Sequence, residues 1–401
     1  MAVVTILVGV GSGIGGLLVS VALHAIEHEA YGFSSGTFVD GVLASSPARR
    51  VAALGVAGVI GAVGWWALRR WGSSVVSVEQ SVDGKRMPGF VTIANAALQV
   101  VIVGLGASIG REVAPRELGA LVAGWLSERA GVSPQERRIL VACGAGAGLA
   151  AVYSVPLSGA VFSVEILLAE LTLATALPAL ATSAIATLVA RIVPSGPLYV
   201  LPHVHLTASL FVWSVIAGPV LGFAALGFVK LSRFAGDHRP RSWTILVIMP
   251  VVFLAVGLLS IPYPTILGNG QALGQVAFVG SLAVGVLAVT VLAKVIATIG
   301  TIGSGAAGGT LTPSLAIGAG MGAVLGGAWT LLWPGTTLAA FAFVAAAAFL
   351  AASLRAPFTA LVLVVEFTGQ GPALLVPAIL AIAGSVGVVY LLGRGRLAGV
   401  D

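Results

Sequence analysis

Gly106-Ala-Ser-Ile-Gly-Arg-Glu-Val-Ala-Pro115 is a Gly-rich, nearly uncharged run in which Arg111 and Glu112 stand out, with Arg116 and Glu117 directly beyond. A glutamate just ahead of Pro115 and an apolar run sits where a helix begins, because proline is tolerated in the first turn. The free N–H groups there carry partial positive charge and favour an anion. The spacing therefore predicts an anion site at a helix N-terminus, one that the Glu112 carboxylate itself can occupy. The alternative is a glutamate paired with Arg111 or Arg116 at an interface. If the flanking apolar runs lie in lipid, the cost of an ionisable group at that depth makes a functional role the default.

Composition puts those runs in lipid. Hydrophobic residues make up 58% of the 401 and Asp, Glu, Lys and Arg only 8%, against roughly 25% charged residues in soluble domains. Mean hydropathy is +1.08. The chain is read as an all-α polytopic membrane protein, a single transmembrane domain over residues 1–401 with room for more than a dozen helices. Its 54 glycines, about twice the usual share, suit close packing of broken helices in a bilayer. Cys143 is the single cysteine, which excludes an internal disulfide and a cysteine-based metal cluster. The net charge of +6 comes from basic residues at the ends of apolar runs, a topology pattern rather than a nucleic-acid groove.

Upstream of the central stretch, Gly89 to Leu105 is apolar and follows a polar link, Gln80 to Pro88. Before that, Gly72-Ser-Ser-Val-Val-Ser-Val-Glu79 is too short to cross a membrane and is either a half-helix or a Ser-capped surface helix. A span led by Arg49 and Arg50 closes at Arg69-Arg70-Trp71. The first span, Val3 to Ile26, lacks the basic n-region of a cleaved signal peptide and is read as a retained helix. Its Gly9-Val-Gly-Ser-Gly-Ile-Gly-Gly16 is read as small-residue helix packing, since no strand precedes it as a dinucleotide fingerprint requires. His24, Glu27, His28 and Glu29 close this span, but no second cluster completes a metal site, and neither metal nor cofactor is expected.

Downstream, Leu118 to Leu126 continues the apolar run, and Glu128, Arg129, Glu136, Arg137 and Arg138 are read as a loop. Further spans are expected at about Ile139–Leu171, Thr172–Ile192, Leu206–Leu231, Ile245–Ile261, Val276–Ile302, Leu311–Trp333 and Thr337–Leu392. Placing loops on alternating sides gathers Arg69, Arg70, Lys85, Arg86, Arg129, Arg137, Arg138, Lys230, Arg233, Arg239, Arg241, Arg394 and Arg396 on one face, against Arg49, Arg50 and Arg191 on the other. By the positive-inside rule the first face, with the C-terminus, is cytoplasmic.

The chain also repeats itself. Leu149-Ala-Ala is followed by Pro156 and Glu165, and Leu350-Ala-Ala stands in the same relation to Pro357 and Glu366. Gly110 precedes Pro115 by the interval at which Gly308 precedes Pro313. Two matches in the same order, about 200 residues apart, predict duplicated halves near 1–200 and 201–401, with a substrate site where interrupted helices meet. The alternative is generic Gly and Pro punctuation in an Ala-rich membrane protein.

Gly110-Arg-Glu-Val-Ala114 resembles the GREGP motif of the CLC chloride channels and transporters, and Gly308-Gly-Thr-Leu-Thr-Pro313 resembles their GGIFAP motif. Ser154-Val-Pro-Leu-Ser-Gly159 with Glu165, and Leu354-Arg-Ala-Pro-Phe-Thr359 with Glu366, are similar to further family segments, in family order across essentially the whole chain. The resemblance implies a CLC-like fold of two inverted repeats of broken and tilted helices. It also implies a homodimer with one pore per subunit, in the cell membrane. It makes Glu112 the gating glutamate, whose carboxylate competes with chloride and swings away when protonated. Arg111 and the N–H groups around Val113, Thr310 and Leu311 match positions that bind the anion, and no lysine is needed beside them. Ser73 takes the place of the chloride-binding hydroxyl of the inner GSGIP motif, which Gly72-Ser73-Ser74 matches loosely.

Two departures bear on mechanism. Where proton-coupled members of the family carry an internal glutamate, this chain has Ile166, which takes no proton. Alignment from Pro377 puts Ala398 where the pore tyrosine is expected, removing a hydroxyl donor. The chain ends at Asp401, so none of the cytoplasmic regulatory domains of many eukaryotic relatives is expected. The reading is passive, gated conduction of chloride or a related monovalent anion, not enzymatic; chloride/proton antiport is the alternative. A membrane-embedded hydrolase pairing Glu112 with a histidine is a remote one, since His24, His28, His203, His205 and His238 all lie near span ends.

Overall fold

Proline and left-handed backbone cut the apolar runs of this chain into more helices than hydropathy distinguishes. The structure, a computed structural model, describes residues 1–193, 198–202, 204–370 and 372–394. Its first half contains α1 (Ala2–Tyr31), α2 (Phe38–Ala44), α3 (Pro47–Trp71), α4 (Val78–Val82), α5 (Gly89–Gly104), α6 (Val113–Ala130), α7 (Pro134–Tyr153), α8 (Pro156–Phe162) and α9 (Leu173–Ala190). The second contains α10 (Ala208–Asp237), α11 (Ile245–Leu259), α12 (Gln271–Val279), α13 (Val284–Gly303), α14 (Leu311–Trp329), α15 (Leu338–Leu354), α16 (Pro357–Thr368) and α17 (Leu375–Arg394). Among the described residues 7 helices are long and apolar enough to cross a membrane.

Two helices form the centre. From Ile139 to Tyr153 every residue of α7 is buried, and so is every residue of α15 from Ala339 to Ala352. A helix apolar all round its circumference belongs in an interior. Each ends at a non-glycine residue in left-handed conformation, Ser154 and Arg355, both with φ 56°, and two residues later a proline starts a short helix, α8 or α16. Proline at the first helical position has no N–H to satisfy and a preset φ. The expected spans Ile139–Leu171 and Thr337–Leu392 are therefore each broken, the second into three helices.

The two short helices exchange caps. The Glu165 carboxylate accepts the N–H groups of Phe358 (3.1 Å) and Thr359 (2.6 Å) and the Thr359 hydroxyl (2.6 Å), at the start of α16. Reciprocally, Glu366 accepts the N–H groups of Leu157 (3.1 Å) and Ser158 (2.7 Å) and the Ser158 hydroxyl, at the start of α8. Residue i of one half serving j of the other, and the converse, is the contact pattern of a two-fold relation. The fold is two inverted repeats of broken helices, and the offset between these capping pairs is the one that relates Leu149 to Leu350.

Other expectations shift in detail. Glu128 and Arg129 end α6, whereas Glu136, Arg137 and Arg138 open α7. The Ser133 hydroxyl and the Glu136 carboxylate cap that helix reciprocally, so only a short turn remains of the expected loop. The 72–79 stretch stays extended until Ser77 caps α4, which makes it a Ser-capped helix of one turn. In α1 a Cβ at Gly13 or Gly16 would collide with Val189 or Ala151, so the glycine run is close packing on α9 and α7.

Candidate anion site

The loop between α5 and α6 is pinned before it reaches Glu112. Gly106, at φ 101°, turns the chain, and its carbonyl accepts the Gly268 N–H at 2.9 Å. Lys294 of α13, fully buried, donates to the carbonyls of Ile266 (2.8 Å) and Gly268 (2.7 Å) and so holds that partner strand of backbone. The Ser108 and Thr298 hydroxyls lie 3.2 Å apart. Gly110 and Gly309 then pair antiparallel, with N–H to O distances of 2.7 and 3.0 Å. Through this pair the N-termini of α6 and α14 are brought together at one point.

Glu112, fully buried, stands at the N-cap position of α6 without capping it: its side chain crosses to the other half. Oε1 accepts the N–H of Leu311 at 2.7 Å and Oε2 the hydroxyl of Thr312 at 3.1 Å. Leu311 is the first residue of α14, so the carboxylate sits where an anion would sit at that helix N-terminus. Hydrogen bonds to a charged group contribute about 1.5–3 kcal/mol each. A Cβ at Gly110 or Gly309 would overlap the carboxylate, which is why both approaches are glycine. Glu112 forms no ion pair among the described residues: Arg116 pairs with Glu79 at 3.3 Å instead, and Arg111 lies 4.9 Å from the centroid of the Tyr153 ring. The interface ion-pair alternative is thereby set aside.

Arg111, buried in the loop before α6, lines a cavity of about 480 Å³ together with His24, Glu27, Thr37, Tyr153 and Gln271. That space reaches the residue adjacent to Glu112 from the side where α1 ends. Val113 and Thr310 flank the meeting point, each half-buried, but their N–H groups do not bond the carboxylate; of the expected backbone donors only Leu311 does. Ser73 is exposed on the extended stretch before α4 and is not bonded to the Glu112 cluster. Ile166 is half-buried in a π-helical turn, Ser163–Leu168, packed against the main core. The 3.6-residue spacing thus does not apply to Glu165 and Ile166, although Glu165 does face other surroundings, the start of α16. Ala398 and His203 lie outside the described residues, and no described histidine is hydrogen-bonded to Glu112.

Sequence reasoning missed Thr312, Tyr153 and Lys294. Thr312 follows Leu311 directly and is a hydroxyl in the first turn of a helix, a detectable signal. Lys294 is the single charge in the span of α13, and an isolated lysine in an apolar run points to a buried role. Tyr153 carries no such signal, since it reads as the last aromatic of a core helix.

The family model described as voltage gated chloride channel matches residues 60–390. The chain is 31% identical over 303 residues to a voltage-gated ClC-type chloride channel ClcB of Citrobacter koseri, covering 72% of each chain. It is 29% identical over 394 residues to the protein of the same description from Salmonella typhimurium, covering 91% of this chain and 93% of the relative. Among solved structures it matches a slow cyanobacterial Cl−/H+ antiporter with a TM-score of 0.79 at 22% identity, over 99% of this chain and 98% of that one. It matches a CLC-type fluoride/proton antiporter with a TM-score of 0.76 at 18% identity, over 96% and 94%. These structural likenesses speak to the fold.

Proposed function

The chain belongs to the voltage-gated chloride channel (CLC) family, and from that premise we propose that it is a passive, gated pathway for chloride or a related monovalent anion, with Glu112 as the gate. The observation that carries this reading is the Glu112 carboxylate bonded to the Leu311 N–H and the Thr312 hydroxyl at the start of α14. A carboxylate on an anion site keeps other anions out. Protonation removes its charge, weakens both bonds, and frees the site for an anion that keeps the N–H of Leu311 and gains those of Thr310 and Val113 as the side chain leaves. Arg111, facing the cavity beside the gate, draws anions toward it. Ser73 is assigned to the access route on the opposite face.

Passive conduction is favoured over exchange by Ile166, which offers no titratable group at the internal position, and by Glu165, whose carboxylate is engaged by three donors at α16. Chloride/proton exchange is the second reading, since the solved neighbours include proton antiporters. We assign the Arg-rich face and the C-terminus to the cytoplasm by the positive-inside rule, the protein to the cell membrane, and its assembly to a homodimer. The test is chloride efflux from liposomes containing the purified protein: efflux above protein-free liposomes that accelerates on acidification is expected, and efflux no faster than the blank would sink the proposal.

A further inference from the structure

One turn beyond the gate, α6 carries a second buried acid that the gate itself does not use. The Glu117 carboxylate is 5% exposed and is enclosed by amides. Asn95 Nδ2 donates to its two oxygens at 3.0 and 2.9 Å, and Gln99 Nε2 donates to Oε2 at 3.1 Å, both from α5. Asn95 is in turn oriented by the Trp65 indole of α3, at 2.9 Å. In contrast, Gln99 Oε1 is buried without a hydrogen-bond partner. The cage therefore serves two forms of the acid. As a carboxylate it accepts the amide N–H groups; as a carboxylic acid it has an O–H to donate and Gln99 Oε1, after rotation of the amide, to receive it. A carboxyl group built into a polar cage at membrane depth is a proton-binding site by its chemistry.

Its charge reaches the gate through one residue. Arg116 stands four residues after Glu112, about one helical turn, and directly before Glu117 on α6, pairs with Glu79 at 3.3 Å, and is held 4.5 Å from the centroid of the Phe162 ring. Around Glu117 the charged groups of the described residues are Arg116 on its own helix and Glu79 on α4, while α3 and α5 present only an indole and amides. Around Glu112 they are Arg116 and Arg111, with the Tyr153 phenol close by, and α14 presents only an N–H and a hydroxyl. We propose that Glu117 is a buried proton-binding group that sets the pH at which the Glu112 gate opens, acting through the charge of Arg116. This role rests on Glu112 being the gate, and Glu117 adjusts it without handing on a proton. Ionised, Glu117 offsets Arg116 and adds negative charge near Glu112, so the gate accepts a proton more readily. Protonated, it leaves the Arg116 charge less offset, which favours the ionised form of Glu112 through space.

The experiment is anion efflux from proteoliposomes over symmetric pH from about 4 to 9 for wild type, Glu117→Gln, Glu79→Gln, Glu112→Gln and the double variant Glu112→Gln/Glu117→Gln. Glu117→Gln is expected to move the midpoint of the pH response toward acid by about 0.5–1 pH unit. Glu79→Gln, on an exposed side chain, moves it the same way by less. In the Glu112→Gln background the Glu117 change has no effect on the profile, whereas a merely structural role would lower flux in both backgrounds without moving the midpoint. A wild-type midpoint in both single variants overturns the proposal, as does an equal effect of Glu117→Gln with and without the gate. If Glu117→Gln does not fold, the Glu79→Gln midpoint decides alone. A full pH response surviving in Glu112→Gln instead overturns the gate reading.

Discussion

Replacing Glu112 by Gln keeps the shape of the proposed gate and removes its charge. In the structure the carboxylate holds two hydrogen bonds, 2.7 Å to the Leu311 N–H and 3.1 Å to the Thr312 hydroxyl. A bond to a charged acceptor contributes about 1.5–3 kcal/mol and one between neutral groups about 0.5–1.5, so the amide forfeits about 1 kcal/mol per bond. The sum, about 2 kcal/mol, corresponds to roughly a thirty-fold fall in the occupancy of the closed position. Chloride efflux from proteoliposomes at pH 7.5, with the membrane potential short-circuited by valinomycin and potassium, should rise by up to that factor. It should also lose most of its dependence on pH, because the titrating group is gone. An unchanged rate with the wild-type pH response intact would refute the assignment of the gate and the reasoning from the two bonds.

Thr312→Val removes only the bond to Oε2, so the closed position weakens by about 1–2 kcal/mol and efflux at neutral pH rises roughly ten-fold while the pH response is retained; a rate equal to wild type would show that this bond does not hold the gate. Glu366→Gln removes the ionised cap shared by the Leu157 and Ser158 N–H groups, a loss of about 1 kcal/mol. It should lower the thermal midpoint in detergent without changing the anion preference, and a changed preference would place Glu366 on the pathway instead. A site of neutral N–H and hydroxyl donors such as those of Leu311 and Thr312 should admit several weakly hydrated anions, so bromide and nitrate should carry flux comparable with chloride. Strict rejection of either would contradict that construction.

Much of this was legible in the sequence because chemistry there is local. Glu112 is a charge in an apolar run ahead of Pro115, and an N-terminal helix position follows from that spacing alone. The repeat survived in the offsets of Pro156 and Glu165 against Pro357 and Glu366, residues that the fold uses for helix starts and for exchanged caps. Helix breaks were harder to see: Ser154 and Arg355 adopt left-handed backbone with no glycine to announce it. The extent of α7 was hidden by the charges of Glu136 to Arg138, which suggest a loop but serve as a capped first turn. Most long-range partners were invisible in principle. The repeat brings the Gly110 and Gly309 stretches to one site, but nothing in the sequence turns Lys294 toward the carbonyls of Ile266 and Gly268 or encloses Glu117 with Asn95 and Gln99, because those contacts depend on how distant helices cross.

Whether anions move alone is the claim on which the account turns, and one measurement addresses it directly. Wild-type protein in liposomes is given an outward chloride gradient at equal pH on both sides, with the membrane potential clamped at zero, and external pH is followed. With Ile166 proposed as the internal position and Glu165 bonded to the start of α16, chloride should leave with no uphill movement of protons. Proton pumping against its gradient, driven by chloride in wild type and abolished by Glu112→Gln, would contradict passive conduction and establish exchange in its place.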